Sequence, residues 1–133
     1  MKLILCVDER MGMAFCGRRQ SRDRAVVERI ASRTAGQRLW MTEYSAALFS
    51  ETEHLCLSKH PMRDAGENDW CLEERENPEA FAECIEQVVV YRWNRHYPSD
   101  VRCTLPLEQW RRISMDEFAG YSHEKITEEV YQR

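Results

Sequence analysis

The sequence lacks any long hydrophobic run, which excludes a membrane-spanning helix, since such a helix needs about 20 consecutive apolar residues. The opening stretch, MKLILCVDER, has only a short apolar segment that acidic residues follow at once. This pattern is unlike a secretory signal peptide, so we expect a cytoplasmic protein. Internal repeats and low-complexity segments are also absent. The 133 residues are enough for a single domain, spanning residues 1–133, with its own hydrophobic core.

Motifs that bind metals or build disulfide frameworks are absent as well. No two of the six cysteines form a C-x-x-C motif, and most lie in apolar segments; they are Cys6, Cys16, Cys56, Cys71, Cys84 and Cys103. We expect reduced thiols that pack like small hydrophobic side chains. The four histidines are His54, His60, His96 and His123. Their spacing matches neither H-x-H nor H-E-x-x-H, so we expect no metal site.

The chain also lacks the strongly basic character of a dedicated nucleic-acid-binding domain, because its net charge is −4. The charge is uneven, however. Residues 1–38 hold nine Lys and Arg against four acidic residues, whereas the remainder holds ten against nineteen. Four of these arginines lie in GRRQSRDR and are candidate anion-binding residues: Arg18, Arg19, Arg22 and Arg24. The alternative is a solvated surface, which is the usual role of a charge run.

Strands and helices are predicted to alternate along the chain. The apolar runs over residues 3–7 and 87–93 predict buried strands. Apolar residues at helical spacing over residues 25–33 predict a helix, with Ser21 as its N-cap and Asp23 in its first turn. Together the segments predict a three-layer α/β domain with a largely parallel sheet.

The second half of the chain carries further boundary signals. Asn77 is placed to cap a helix that begins at Pro78. Ser114 and Glu117 have the spacing of a capping box over one helical turn. Residues 122–133 are ambiguous, because their alternation favours a strand and their composition favours a helix.

The order of these segments resembles dihydrofolate reductase. VDERMGMAFCGR resembles the loop V-D-E-x-x-G-I-G-x-x-G that follows the family's first strand, and TAGQRLWMTEYSAAL resembles its T-x-G-K-x-V-I-M-G-R-K-T-x-E-S segment. Residues 70–93 occupy the place of a strand, a Gly-Gly pair, a helix and a strand, and residues 99–133 resemble the final stretch. The resemblance covers nearly the whole chain, with a missing segment between Phe49 and Trp70.

This resemblance implies a three-layer dihydrofolate reductase-like fold, with a mostly parallel central sheet and an antiparallel C-terminal hairpin. It resolves the ambiguous tail as an edge strand. It also implies a pocket lined by nine residues: Ile4, Cys6, Met13, Val26, Ile30, Ser45, Phe49, Leu72 and Tyr91. Because the middle segment is missing, we expect these side chains to close onto one another, although an open apolar cleft is the alternative.

The residues that carry the family's chemistry are not matched. The family's helix bears a carboxylate that protonates the substrate, and ungapped counting places Val26 there. Asp23, three residues earlier, is a weak substitute. Glu73 and Glu74 replace the Gly-Gly beside the cofactor and would repel its pyrophosphate, although with a third glutamate they could instead satisfy a helix N-terminus. Residues 42–45 replace the G-R-K-T that holds the cofactor's 2′-phosphate.

The sequence therefore favours a shortened dihydrofolate reductase-like protein without folate reductase activity and without a cofactor. We expect it to bind a small anionic or nucleotide-like ligand, or a protein partner. The first alternative is a divergent oxidoreductase that uses a pterin and NADPH. The second is an RNA-processing hydrolase of the ribonuclease Z type, which is disfavoured because the H-x-H-x-D-H metal motif of that family is absent.

Overall fold

A seven-stranded mixed sheet forms the centre of the molecule in the computed structural model, which describes residues 1–133. The strands are β1 (Lys2–Val7), β2 (Gly12–Phe15), β3 (Arg18–Arg19), β4 (Leu39–Met41), β5 (Leu55–Leu57), β6 (Trp70–Leu72), β7 (Gln87–Arg92), β8 (Val101–Arg102), β9 (Arg111–Phe118) and β10 (Ile126–Gln132). The α-helices are α1 (Arg24–Arg33), α2 (Glu43–Ala46) and α3 (Pro61–Asp64). Three 3₁₀ helices cover Ala47–Phe49, Pro78–Cys84 and Leu107–Gln109. No helix has the length and apolar character that a bilayer crossing requires.

The order of strands in the sheet is β5-β4-β6-β1-β7-β10-β9. Strand β1 pairs in parallel with β6 and β7, and β4 pairs in parallel with β5 and β6. Strand β10 runs antiparallel to both β7 and β9. The predicted mostly parallel sheet with an antiparallel C-terminal hairpin is therefore confirmed. One detail was wrong: β10 is an interior strand because it pairs on both sides, and β9 forms the edge.

Two apolar clusters lie on opposite faces of this sheet. Leu3 and Leu5 of β1 belong to one cluster, whereas Ile4 between them belongs to the other, as the alternation of side chains along a strand requires. Helix α1 covers the second cluster with Val26 and Ile30. A small sheet in the order β3-β2-β8 contributes to the first cluster through β2. Because β1 is buried on both faces, its sequence reads as a continuous apolar run.

The start of α1 differs from the prediction. Asp23, not Ser21, is the N-cap, and its carboxylate accepts a hydrogen bond of 2.9 Å from the N–H group of Ala25. The hydroxyl of Ser21 instead contacts His123, which arrives from the far end of the chain. The N-cap therefore lies two residues later than predicted, and the side chain of Ser21 has a long-range partner instead.

Two predictions for the second half of the chain have different outcomes. Asn77 caps the helical turn that begins at Pro78, as predicted, although that turn is a 3₁₀ helix. Ser114 and Glu117 do not form a capping box, because both lie in β9. Pairing of β9 with β10 along the hairpin outweighs their local preference for a helix start.

Candidate functional site

The cleft between α1 and the sheet is closed by its own apolar side chains. Val26, Ile30, Phe49 and Leu72 are each at most 3% exposed and belong to one contiguous cluster. The space left beside them is about 20 Å³, which is room for about one water molecule. Pockets that accept a small organic ligand measure about 300–1,000 Å³. A flat ring system therefore has no space in this cleft.

Most of the pocket residues predicted from the sequence come together at this closed cleft. Six of them form part of its apolar cluster: Ile4, Val26, Ile30, Phe49, Leu72 and Tyr91. Cys6 packs against the cluster, and burial raises the pKa of its thiol far above the usual range. Ser45 is buried and donates a 2.6 Å hydrogen bond to Glu74. Met13 does not join them, because β2 places it in the cluster on the opposite face of the sheet.

Glu73 and Glu74 are buried but face different partners. The carboxylate of Glu74 accepts two hydrogen bonds from the Arg19 guanidinium, at 2.8 and 3.0 Å, in a bidentate pair. Glu73 Oε2 accepts from the N–H groups of Arg75 and Glu76, and burial raises the pKa of this side chain. The alternative, in which these acids and a third glutamate satisfy the N-terminus of the following helix, is not observed, because Asn77 caps it.

The four candidate arginines do not share one site. Arg19 is bound to Glu74, and its guanidinium lies 4.1 Å from the centre of the Tyr44 ring. Arg18 is exposed, on the neighbouring position of β3. Arg22 and Arg24 border a separate cavity of about 370 Å³ at the start of α1. The predicted rim of four cations is therefore divided between at least two places.

An open groove lies where β4, β5 and β6 end. It has a volume of about 500 Å³ and is lined by Thr42, Glu43, Tyr44, Leu57, Ser58, Lys59 and Arg75. The carboxyl ends of parallel strands are a common place for ligands in open α/β sheets. The Arg75 guanidinium lies 4.2 Å from the centre of the Tyr44 ring. The negative face of the ring attracts this cation and stabilises its position.

Sequence reasoning missed the groove residues Ser58, Lys59 and Arg75. Two of them directly follow β5 and the third comes shortly after β6, so the signal was their position after predicted strands that run in parallel. Strands β5 and β6 are short. The polar residues in the loops after them follow no periodic pattern that would mark them as neighbours. Placing these residues together required the order of strands in the sheet.

Asp23 lies in a second polar cluster, at the start of α1. Its carboxylate accepts hydrogen bonds from His123 Nδ1 at 2.9 Å and from the N–H groups of Tyr121 and Ser122 at 3.0 and 2.9 Å. Burial raises the pKa of Asp23, but the hydrogen bonds from His123 and from the backbone outweigh burial and hold this pKa well below its usual range. An acid that stays ionised at neutral pH does not deliver a proton, so this geometry does not support Asp23 as the catalytic acid.

The same cluster extends from His123 to two hydroxyl groups. His123 Nε2 lies 2.9 Å from Ser21 Oγ and 3.2 Å from the hydroxyl of Tyr97. The imidazole stacks on Trp93, with a centroid separation of 4.7 Å and an interplanar angle of 24°. Sequence reasoning missed His123 because it is 102 positions from Ser21. The loop between β9 and β10 brings it to the start of α1.

Comparison with known proteins identifies the fold. No protein-family model matches the sequence, and no curated protein matches it either. A solved dihydrofolate reductase from Enterococcus faecalis, complexed with NADP(H) and RAB-propyl, is similar with a TM-score of 0.66. That similarity covers 99% of this chain and 95% of the other, at 10% sequence identity. The chain has a dihydrofolate reductase-like fold. At 10% identity this similarity establishes the fold and does not establish the activity.

Within the dihydrofolate reductase-like fold, the order of strands and the C-terminal hairpin of β9 and β10 agree with the resemblance seen in the sequence. Glu73 and Glu74 are at most 8% exposed. No group of three or more His, Cys, Asp and Glu side chains is arranged to hold a metal ion.

Proposed function

We propose that this is a shortened dihydrofolate reductase-like protein without folate reductase activity and without a nicotinamide cofactor. In this proposal it binds a small anionic ligand, of the size and charge of a nucleotide, in the groove at the ends of β4, β5 and β6. The observation that carries the proposal is the pairing of an open space of about 500 Å³ with two cations at its wall, Lys59 and Arg75.

The side chains of the closed cleft support the absence of reductase activity. Val26 is 3% exposed and takes the position at which the resemblance places the proton-donating carboxylate. An aliphatic side chain neither donates a proton nor binds an aminopyrimidine ring. The surrounding cleft retains about 20 Å³, so a pterin would have to displace packed side chains before it could enter.

The two buried glutamates support the absence of a nicotinamide cofactor. Glu73 and Glu74 are 4% and 8% exposed at the place where the resemblance calls for a Gly-Gly pair. A carboxylate at this position repels a pyrophosphate, because both groups are negatively charged. The repulsion grows as water is excluded. Arg19 is already paired with Glu74, so this cation is not available to a pyrophosphate.

The charges of the groove support binding of an anion. Neither Lys59 nor the guanidinium of Arg75 has a carboxylate within 4.0 Å, whereas six other arginines in the chain do. Each cation is therefore available to a phosphate or carboxylate, and hydrogen bonds to charged groups contribute about 1.5–3 kcal/mol each. Glu43 also lines the groove. Its negative charge favours a ligand that presents its anionic group toward Lys59 and Arg75.

Calorimetric titration with AMP, ATP and inorganic phosphate tests the groove. We expect a nucleotide to bind, and we expect Lys59→Ala and Arg75→Ala each to raise its Kd about 10-fold, which corresponds to about 1.4 kcal/mol. Arg102→Ala is the matched control, because Arg102 is an exposed arginine that does not line the groove. Failure of all three probes to bind would contradict the proposal. Binding that only Arg22→Ala and Arg24→Ala weaken would move the site to the cavity at α1.

Incubation with NADPH and dihydrofolate tests the absence of reductase activity. The expected result is a constant absorbance of the reduced nicotinamide over time. Turnover above that of a buffer control would contradict the assignment and would favour the divergent oxidoreductase instead.

A further inference from the structure

The polar cluster at the start of α1 places a hydroxyl, an imidazole and a carboxylate in a line. Ser21 Oγ lies 2.9 Å from His123 Nε2, and His123 Nδ1 lies 2.9 Å from Asp23 Oδ2. Each separation is within the range of a hydrogen bond between a nucleophile, its base and the group that orients the base. We propose that Ser21, His123 and Asp23 form a hydrolytic triad that cleaves small carboxylic esters. This proposal is independent of ligand binding in the groove.

The surroundings of His123 favour the tautomer that such a triad needs. The side chain of Asp23 is completely buried and that of His123 is 3% exposed. A carboxylate accepts a proton but has none to give, so the proton of the neutral imidazole resides on Nδ1 and donates to Asp23. Nε2 is then an acceptor, and its shorter contact is with the Ser21 hydroxyl at 2.9 Å rather than with the Tyr97 hydroxyl at 3.2 Å. Stacking on Trp93 fixes the plane of the ring, which keeps Nε2 directed at Ser21.

Ser21 is the member of the triad with access to solvent. It is partly exposed and precedes α1 in a segment without regular structure. Ser21 borders the closed cleft of about 20 Å³ and does not itself line the neighbouring cavity of about 370 Å³. The two spaces adjoin, because both are lined by Arg22, Asp23, Val27 and Leu48. A cavity of about 370 Å³ is large enough for a small ligand.

The lining of this cavity indicates the class of ester. Val27, Ala47 and Leu48 offer an apolar wall, and Arg22 and Arg24 offer two cations. Arginine binds carboxylates through paired hydrogen bonds. The site therefore fits an ester with a short acyl chain that ends in a carboxylate.

The reaction balances without a cofactor. Ser21 Oγ bonds to the ester carbonyl carbon while its proton passes to His123 Nε2. The bond from that carbon to the alkoxy oxygen then breaks, and the alcohol leaves with the proton from Nε2. Water attacks the acyl-serine, gives its proton to Nε2, and releases the carboxylic acid as Ser21 regains a proton. Asp23 stays ionised throughout and stabilises the imidazolium.

Two donors lie near the place where negative charge develops. The hydroxyl of Tyr97 is 3.4 Å from Ser21 Oγ, and hydroxyl groups serve as donors to the oxyanion of such intermediates. The N–H group of Arg22, which follows the nucleophile directly, donates to no acceptor within the protein. An N–H group at this position supplies part of the oxyanion hole in other serine hydrolases.

Labelling of the full-length protein with a fluorophosphonate probe tests the nucleophile directly. We expect one covalent adduct, located on the peptide that contains Ser21 by mass spectrometry. Ser21→Ala should abolish the adduct, whereas Ser32→Ala should retain it, because Ser32 is an exposed serine of α1 outside the cluster. Absence of an adduct on the folded wild-type protein would overturn the proposal. An adduct that persists unchanged in Ser21→Ala would overturn it as well.

Hydrolysis of p-nitrophenyl acetate and p-nitrophenyl hemisuccinate tests the base and the ester class. We expect His123→Gln to lower kcat at least 100-fold, in line with the loss of a general base, while circular dichroism shows whether the variant remains folded. The hemisuccinate should have the higher kcat/KM, and Arg22→Ala should reduce this preference. A wild-type rate equal to that of free imidazole at the same concentration would overturn the triad. Equal kcat/KM values for the two esters would overturn the assigned ester class.

Discussion

The closed cleft and the open groove lie on the same sheet but differ in chemical character, because the cleft is mainly apolar and the groove carries charged side chains. Side chains around Val26 and Phe49 bury one another almost completely, whereas Lys59 and Arg75 line a space of about 500 Å³. Apolar surfaces gain free energy by leaving water together, which favours a closed cleft where such side chains face one another. Two like charges retain their hydration and resist such a collapse. The apolar side chains of the cleft therefore belong to the core, whereas the polar groove remains an open space.

Truncation of a side chain that fills the closed cleft should have the largest effect on stability. Phe49 is 2% exposed, and we expect Phe49→Ala to lower the free energy of unfolding by about 3–5 kcal/mol. Leu57 lines the groove and is 52% exposed, so Leu57→Ala should change it by only about 0.5 kcal/mol. Urea unfolding measures both values. Similar losses for the two variants would show that the cleft is not part of the core.

Removal of the cation that neutralises Glu74 should have the next largest effect. The side chains of Arg19 and Glu74 are 15% and 7% exposed, so Arg19→Ala leaves a buried carboxylate with one hydroxyl donor from Ser45. We expect a loss of about 2 kcal/mol. The adjacent Arg18→Ala removes the same charge from an exposed position and should cost about 0.5 kcal/mol or less. Equal urea midpoints for these two variants would contradict the structural role of the pair.

The dependence of stability on pH should separate Asp23 from the other acids. Its folded-state pKa is lowered, so its contribution is fully present above the unfolded-state pKa of about 3.9. The contribution declines as pH falls below about 4 and is lost as pH passes through the lower folded-state pKa. Asp23→Asn keeps an N-cap side chain but removes the charge that faces His123. We expect the variant to be about 1 kcal/mol less stable than wild type at pH 6, with the difference shrinking toward pH 3. A difference that stays constant over this range would contradict the role of the charge.

The order of segments in the sequence was sufficient to predict the fold. Contacts between residues far apart in the sequence determine which side chains come together at the candidate site. The apolar run of β1 and the valines of β7 marked the central strands, because strands buried on both faces need apolar residues at every position. Ser21 has the local signal of an N-cap, but its contact with His123 leaves that role to Asp23. No local spacing indicates that contact. Ser114 likewise adopts a strand conformation because it pairs with β10, although its nearest neighbours in the sequence favour a helix start.

The closure of the cleft could be anticipated, because a missing middle segment removes cover from an apolar pocket. The division of the arginines could not, since the partner of Arg19 follows a different strand, at Glu74. Met13 was assigned to the wrong face for a related reason. Its strand leaves the central sheet and joins β3 and β8, and the resemblance in sequence gives no signal for that change.

A crystal structure of the protein soaked with AMP tests the contrast between cleft and groove most directly. The account predicts a nucleotide whose phosphate lies between Lys59 and Arg75, with Val26, Phe49 and Leu72 still in mutual contact. A nucleotide seated between α1 and the sheet, with Phe49 displaced, would contradict it.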